Sequence, residues 1–140
     1  MAENIQFISL EDILSEDLSV VTEKIPVQLL NGKYIELEIK AITQEAEVKI
    51  RKRCTKYEGS KKGVRTPVLD EVLYSSLIIA EATDVDWKKF AEKVGAQVPA
   101  PEFIIPKLFS MGGIVRATQG ITRLSGIDED MEDLIEAAKN

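Results

Sequence analysis

Residues 23–42 alternate between apolar and polar side chains, a pattern that predicts two β-strands joined by a tight turn. The turn is placed at Asn31-Gly32, because this dipeptide is the strongest short-range signal for a hairpin. Apolar residues occupy every second position on each side of it: Ile25, Val27 and Leu29, and then Ile35, Leu37 and Ile39. The sequence therefore predicts a β-hairpin over residues 23–42.

The length of the turn fixes which residues face each other across the hairpin. A two-residue loop would pair Val27 with Glu36 and place the two apolar sets on opposite faces. A three-residue loop that ends at Gly32 pairs Val27 with Ile35 and brings both sets to one face. We therefore predict the three-residue loop, a type I turn with Gly32 left-handed in a bulge. Pro26 lacks a backbone donor, which places its strand at a sheet edge.

The apolar positions change to helical spacing after the hairpin. Thr43 is the predicted N-cap of a helix over residues 43–58, with Cys54 and Tyr57 on its apolar stripe. The next stretch, EGSKKGVRTP, is rich in glycine and charge. We expect it to form an exposed and mobile loop.

A second helix is predicted over residues 67–82. Thr66 caps it, and Pro67 takes the first position, where its missing N–H costs nothing. Because this helix is apolar most of the way round, we expect it to be heavily buried. Shorter helical segments are expected in the N-terminal segment after Ser9, around Trp87, in the interrupted stretch FIIPKLFSMGG, over 113–125 and at the acidic C-terminus.

These elements predict an α+β fold, with an N-terminal β-hairpin followed by a predominantly helical domain. A chain of 140 residues is expected to form a single domain. Its parts are an N-terminal segment (1–22), the hairpin (23–42) and a helical body (43–140). No apolar run reaches the roughly 20 residues that cross a membrane, and the N-terminus lacks the basic start of a signal peptide. We expect a cytoplasmic protein.

The composition excludes several kinds of chemistry. The chain has no histidine, which removes the commonest general base and the commonest neutral metal ligand. Cys54 is the only cysteine, so neither an internal disulfide nor a zinc site of the Cys/His kind is possible. A nucleophile paired with histidine is likewise impossible within this chain. We expect no catalytic residues, no cofactor and no metal, and we interpret Cys54 as a small buried hydrophobe.

The acidic C-terminal stretch SGIDEDMEDLIEAAKN was tested as a calcium loop. A loop that starts at Asp128 needs glycine at its sixth position and glutamate at its twelfth. These positions hold Asp133 and Lys139, so the motif fails. Acids at a helix N-terminus interact favourably with the helix dipole, which explains them more simply.

Two stretches are candidates for binding a partner. The first is apolar, and it either completes the core or offers a surface to an apolar helix; its candidate residues are Phe103, Ile104, Leu108, Phe109 and Met111. The second is the basic stretch Lys49–Arg65, either a phosphate-binding patch of a nucleic-acid-binding protein or a solvated helix end and loop. Only Tyr57 could stack on a base there.

Several stretches together resemble a known family: IPVQLLNGKYIELEIKAIT, QEAEVKIRKR, IPKLFSMGGIVRATQG and, most specifically, LSGIDEDMEDLIEAAKN. They resemble the XkdN-like tail assembly chaperones of contractile-tailed phages and prophages. The resemblance implies a non-enzymatic assembly factor that binds the tape-measure protein, helps to recruit tail-tube subunits and is absent from the mature virion. It also implies action in the host cytoplasm, sometimes with a longer product made by frameshifting. It assigns no binding residues, and a homo-oligomer is compatible with it.

Overall fold

The fold is α+β, as shown by a computed structural model that describes residues 5–59, 63–127 and 131–139. Two short antiparallel hairpins and five helices make up the regular structure, together with 3₁₀ turns at Glu11–Ser15 and Trp87–Phe90. In chain order the elements are β1 (Thr22–Gln28), β2 (Tyr34–Lys40), α1 (Gln44–Cys54), β3 (Thr55–Gly59), β4 (Arg65–Leu69), α2 (Glu71–Glu81), α3 (Pro101–Leu108), α4 (Met111–Leu124) and α5 (Met131–Lys139).

The first hairpin has the predicted register. Val27 lies opposite Ile35, and Ile25 lies opposite Leu37. The Leu29 N–H donates to the Lys33 carbonyl at 2.8 Å, and Gly32 has a φ of +86°, the left-handed conformation expected at that position. The sequence pattern therefore fixed both the turn length and the face of the hairpin that enters the core.

Helix α4 packs closely against β1 of this hairpin because small residues line the face it presents. A Cβ atom at Gly113 would lie 2.3 Å from the Gln28 carbonyl oxygen, and one at Gly120 would lie 2.9 Å from the Ile39 Cδ1 atom. Ala117, one turn from each, is fully buried. The backbone of α4 thus lies directly against the backbone of β1 at Gly113 and against the side chains of Ile25 and Ile39 at Gly120.

The core lies between the first hairpin, α2, α3 and α4. Its largest fully buried side chains are Phe109, Ile39, Ile79, Ile104, Ile105, Ile121 and Val27. The predicted burial of α2 holds for the middle of the helix, where Ser76 to Ile79 are inaccessible or nearly so, but not for Val72, which is 62% exposed. Cys54 is also fully buried, which confirms its interpretation as a small hydrophobe.

A second hairpin corrects the prediction for residues 55–69. The helix predicted over residues 43–58 begins at its Thr43 cap but ends at Cys54, and the chain continues as β3. Tyr57 therefore lies on a strand, opposite Pro67, and not on a helical stripe. Thr55 can leave the helix because its β-branched side chain favours the extended backbone that it adopts here.

The start of the central helix was also predicted wrongly. Thr66 and Pro67 belong to β4, and the N-cap of α2 is Asp70, whose Oδ1 accepts a hydrogen bond from the Leu73 N–H at 3.2 Å. The Asp70 N–H in turn donates to the Cys54 carbonyl at 2.9 Å, which closes the second hairpin at its base. Pro67 before an apolar run resembles a helix start, but its fixed φ suits a strand equally well.

The interrupted stretch after residue 100 is more regular than expected. Pro106 lies inside α3, which still continues to Leu108. Helix α4 begins at Met111, two residues before the predicted start, because Ser110 caps it by accepting a hydrogen bond from the Gly113 N–H at 3.0 Å. Gly126 has a φ of +81°, as expected where α4 ends. Residues 128–130 of the acidic stretch lie outside the described residues.

Candidate functional site

An apolar groove of about 360 Å³ lies between β2 and residues 84–90. Its walls are mainly apolar, and three carboxylates stand among them. The lining residues are Leu29, Ile35, Leu37, Val85, Trp87, Phe90 and Leu108, with Glu36, Glu38 and Asp84. Grooves of this size lie at the lower end of the range of about 300–1,000 Å³ that is usual for ligand sites.

The groove arises because the chain after α2 meets β2 at one end only. The Lys40 N–H donates to the Ala82 carbonyl at 2.8 Å, and the Lys40 Nζ atom lies 3.2 Å from Asp84 Oδ1. After Asp84 the chain enters the 3₁₀ turn at Trp87–Phe90, and a gap remains between this turn and the middle of β2. The backbone bond and the ion pair of Lys40 therefore hold the start of the far wall against the end of β2.

Trp87 is the rigid part of that wall. Its ring meets Phe109 edge to face with centroids 5.9 Å apart, and it lies 6.3 Å from the ring of Phe90. Phe109 is a core residue, so this contact ties the wall to the protein interior. Among the described residues, no acceptor pairs with the buried Trp87 Nε1–H. Buried polar groups usually have a partner, so this donor is unusual.

The near wall of the groove is an open sheet edge. In an antiparallel pair, residues that bond to the partner strand alternate with residues whose N–H and C=O point outward. The Leu29 N–H bonds to Lys33 across the hairpin, and the Lys40 N–H bonds outward to Ala82. The odd-numbered residues of β2 therefore bond to β1, and the even-numbered ones point outward. The backbone groups of Glu36 and Glu38 therefore point away from β1, towards the groove.

The outer edge of β1 is covered, in contrast with that of β2. The Ser110 N–H donates to the Gln28 carbonyl at 3.0 Å, and the Leu30 N–H donates to the Leu108 carbonyl at 3.0 Å. In the part of the chain that the structure describes, no backbone bond of this kind reaches Glu36 or Glu38. An uncovered edge with free donors and acceptors is a template for another strand.

The carboxylates give the groove a negative rim. Two of them are ion-paired outside it: Lys24 lies 3.8 Å from Glu36, and Lys40 lies 3.2 Å from Asp84. Glu38 takes part in no ion pair with a described residue. The side of β2 that faces away from the core thus keeps uncompensated negative charge beside the groove.

The residues predicted to bind a partner do not form one surface. Ile104 and Phe109 are 0% and 1% exposed, so they contribute to the core. Phe103 and Met111 are 50% and 83% exposed, but neither lines the groove. Of the predicted set, only Leu108 does. Whether the exposed members bind a partner stays a prediction.

Sequence reasoning missed the far wall of the groove. The sequence predicts a short helix around Trp87 with an apolar face that includes Phe90, but no sequence signal connects that face with β2. The glutamates at alternate positions of β2 were visible, however. Charged residues on one face of a strand that is adjacent to no third strand indicate an exposed edge.

The basic stretch is largely neutralised where it is helical. Lys49 pairs with Glu45 at 3.2 Å, Arg51 pairs with Glu47 at 2.5 Å, and Arg53 pairs with Glu102 of α3. Lys61 and Lys62 lie outside the described residues. Three of the four basic side chains of α1 are therefore ion-paired within the chain, and whether the stretch Lys49–Arg65 binds phosphate stays a prediction.

A small polar network holds α1 against α2. The Tyr74 hydroxyl donates to Glu47 Oε2 at 2.5 Å, and the Arg51 guanidinium bonds to the same oxygen. These two bonds lower the pKa of Glu47. Burial, and then the bond to the Glu47 carboxylate, raises the pKa of Tyr74 to about 12. The Tyr74 hydroxyl therefore stays protonated at neutral pH and keeps donating to Glu47.

Two further observations bear on chemistry. Burial raises the pKa of the Cys54 thiol, which disfavours the thiolate that a nucleophile requires. The part of the chain that the structure describes contains no group of three or more histidine, cysteine or acidic residues that could hold a metal ion. Across the same residues, no helix combines the length and apolar character needed to cross a membrane.

The fold is α+β, and its apolar groove lies beside the uncovered edge of β2, an arrangement that can accommodate an extended segment of another chain. Comparison with family models identifies the group: the model for the phage XkdN-like tail assembly chaperone proteins matches residues 10–139. The chain belongs to this family, which confirms the resemblance seen in the sequence. Searches of curated proteins and of solved structures gave no match.

Proposed function

We propose that this tail assembly chaperone binds the tape-measure protein and aids tail-tube assembly, with the groove beside β2 as the binding site. The observation that carries the proposal is the groove itself, in which apolar walls meet an open strand edge. The chaperone would act in the host cytoplasm, in a phage or prophage infection, and be released before the virion matures. In this proposal the chaperone binds its partner and catalyses no reaction, as is general in the family.

The size of the groove supports a weak and reversible contact. Burying one large apolar side chain contributes about 1.5–3 kcal/mol, so two of them contribute about 3–6 kcal/mol before the costs of association. A binding free energy near 4 kcal/mol corresponds to a dissociation constant of about 1 mM. A chaperone that must leave its partner benefits from such contacts, repeated along a long partner.

Exposed apolar residues elsewhere support the same reading. The N-terminal segment that precedes β1 carries a series of large apolar side chains that are mostly in solvent: Phe7, Ile8, Leu10, Leu14, Leu18, Val20 and Val21. Apolar exposure on this scale is typical of binding surfaces. We propose that this segment, with the exposed Phe103 and Met111, adds contacts to a partner that the groove has engaged.

Co-expression tests the proposal. We expect the tape-measure protein encoded by the same phage to be recovered in soluble form, and in complex, only when this chaperone is present. Phe90→Asp places a charge on the groove wall and should reduce co-purification. Tyr57→Asp, an equally radical change at an exposed aromatic of β3 outside the groove, is the matched control.

The result depends on both variants being folded, so circular dichroism and thermal unfolding accompany each purification. Failure of the unmodified chaperone to retain or solubilise the tape-measure protein would contradict the proposed function. Equal loss with Phe90→Asp and Tyr57→Asp would instead remove the groove as the site. Because three basic side chains of α1 are ion-paired, we propose no nucleic-acid-binding function for the stretch Lys49–Arg65.

A further inference from the structure

We propose that the occupant of the groove is an extended partner segment that joins β2 as an added strand and presents alternating apolar and basic side chains. This inference rests on the proposed function only in taking the partner to be a protein of the growing tail. It names the chemistry of the segment: apolar residues on one side, lysine or arginine on the other. Three observations lead to it.

The first observation is the open edge. The outward N–H and C=O groups of Glu36 and Glu38 border the groove and have no backbone partner among the described residues. An extended segment that lies in the groove can bond to both of them, as in peptide recognition by strand addition. The outer edge of β1 already pairs with an extended segment in this way, because Leu29 forms an antiparallel bridge to Phe109.

The second observation is the size of the groove. A helix uses its backbone N–H and C=O groups internally and is about 10–12 Å across with its side chains, whereas an added strand bonds to its neighbour and lies about 4.7–4.9 Å from it. A volume of about 360 Å³ is shared between the strand edge and the 3₁₀ turn at Trp87–Phe90. That space suits a strand with a few apolar side chains, which would pack against Val85 and Leu108.

The third observation is the distribution of charge across the pleat. Ile35 and Leu37 face the core side of β2, while Glu36 and Glu38 face the other side. A strand added to this edge continues the same pleat. Its inward side chains then meet the apolar wall, and its outward ones lie beside the glutamates. Opposite charges on neighbouring strands stabilise such pairs, which favours lysine or arginine at the outward positions.

The same charges disfavour two other occupants. If β2 of a second copy added to this edge in the antiparallel register centred on Leu37, Glu36 of each copy would lie opposite Glu38 of the other, and like charges opposite each other destabilise a sheet. The acidic C-terminal stretch of the chain, from Asp128 to Glu136, carries the same sign as the rim. A basic segment of a different protein remains the best match to the groove.

The test uses a synthetic peptide of sequence KVKIKVK, acetylated and amidated, with the intact protein. Trp87 is the only tryptophan in the chain and lines the groove, so its fluorescence reports binding directly. Amide hydrogen exchange, measured residue by residue by NMR, should slow at Glu36 and Glu38 when the peptide binds. The peptide EVEIEVE should bind about tenfold more weakly, because it reverses the outward charges.

Glu38→Lys is the matching change in the protein, and Glu58→Lys, on an exposed strand outside the groove, is its control. We expect Glu38→Lys to weaken binding of KVKIKVK and to strengthen binding of EVEIEVE, with no change for Glu58→Lys. A fluorescence change without slower exchange at Glu36 and Glu38 would overturn strand addition. No binding at a peptide concentration of about 1 mM would overturn the inference as a whole.

The outcomes also separate this inference from the proposed function. If KVKIKVK binds as described but the tape-measure protein does not co-purify, the strand-binding groove stands and the assignment of its partner falls. If the tape-measure protein co-purifies equally with Glu38→Lys and the peptide does not bind, the proposed function stands and strand addition falls.

Discussion

Replacing Gly113 with alanine should destabilise the protein, although alanine is the better helix former. Gly113 lies in the first turn of α4, where a Cβ atom would be 2.3 Å from the Gln28 carbonyl oxygen and 3.1 Å from Val27 Cγ1. Ordinary contacts of a Cβ atom are 3.4 Å or longer, so the helix and β1 would have to separate by about an ångström.

The magnitude follows from two opposing terms. Glycine-to-alanine replacement inside a helix stabilises it by up to about 1 kcal/mol. Against this, overpacking a tight contact costs about 1–3 kcal/mol. The separation also stretches the hydrogen bonds from Ser110 to the Gln28 carbonyl, which are 3.0 Å from the amide and 3.2 Å from the hydroxyl. Each such bond contributes about 0.5–1.5 kcal/mol, so we expect a net loss of about 1–3 kcal/mol.

Gly112→Ala is the matched control, since Gly112 is adjacent in the same helix and a Cβ atom there meets nothing within 4 Å. This variant should be as stable as the unmodified protein or slightly more so. Urea unfolding measures both, and with a slope of about 1–3 kcal/mol per molar urea the two midpoints should differ by about 1 M. Equal or higher stability for Gly113→Ala would refute the close packing of α4 on the hairpin.

Two further predictions concern α2 and its contacts. Asp70→Ala should lower the free energy of unfolding by about 1 kcal/mol, because it removes the oxygen that accepts the Leu73 N–H at the helix start; chemical unfolding measures the loss. Since the pKa of Tyr74 is raised to about 12 in the folded protein, its contribution to stability is complete below pH 10 and falls as the pH rises from 10 towards 12. Alkaline unfolding of Tyr74→Phe should lack this component, and an unchanged profile would contradict the bond to Glu47.

The parts of the fold that were predictable are those in which a local pattern had only one consistent structure. In the first hairpin, the turn length that Asn31-Gly32 allows and the period of the apolar residues agreed on a single register. The second hairpin had no such pattern. Lys52, Arg53 and Lys56 are acceptable helix residues, so the helix could be extended through them, and only the pairing with residues 65–69 decides otherwise.

The groove could not be predicted from the sequence, for a related reason. Its two walls are far apart in the chain, and the second wall is held by long-range contacts, the backbone bond from Lys40 to Ala82 and the packing of Trp87 on Phe109. The sequence shows the apolar face around Trp87, but it does not show that this face lies beside β2. The stretch FIIPKLFSM was conspicuous for its density of apolar residues, and that density mostly serves the core, through Ile104, Ile105 and Phe109.

An open strand edge is a hazard for a protein that is made in quantity, because it invites pairing between copies. Two features of this chain limit the hazard while leaving the edge usable. In the antiparallel register centred on Leu37, Glu36 of one copy would lie opposite Glu38 of the other, so like charges oppose this pairing of two β2 edges. The close contacts of Gly113 with β1 and of Gly120 with Ile39 of β2 pack the hairpin on α4, and the open edge lies beside Trp87. A partner segment with alternating basic and apolar side chains is not repelled in this way. Its positive charges complement the negative rim of the groove, and its apolar side chains fit the apolar wall. Selectivity between self and partner would then come from charge, and it should weaken as salt screens that charge.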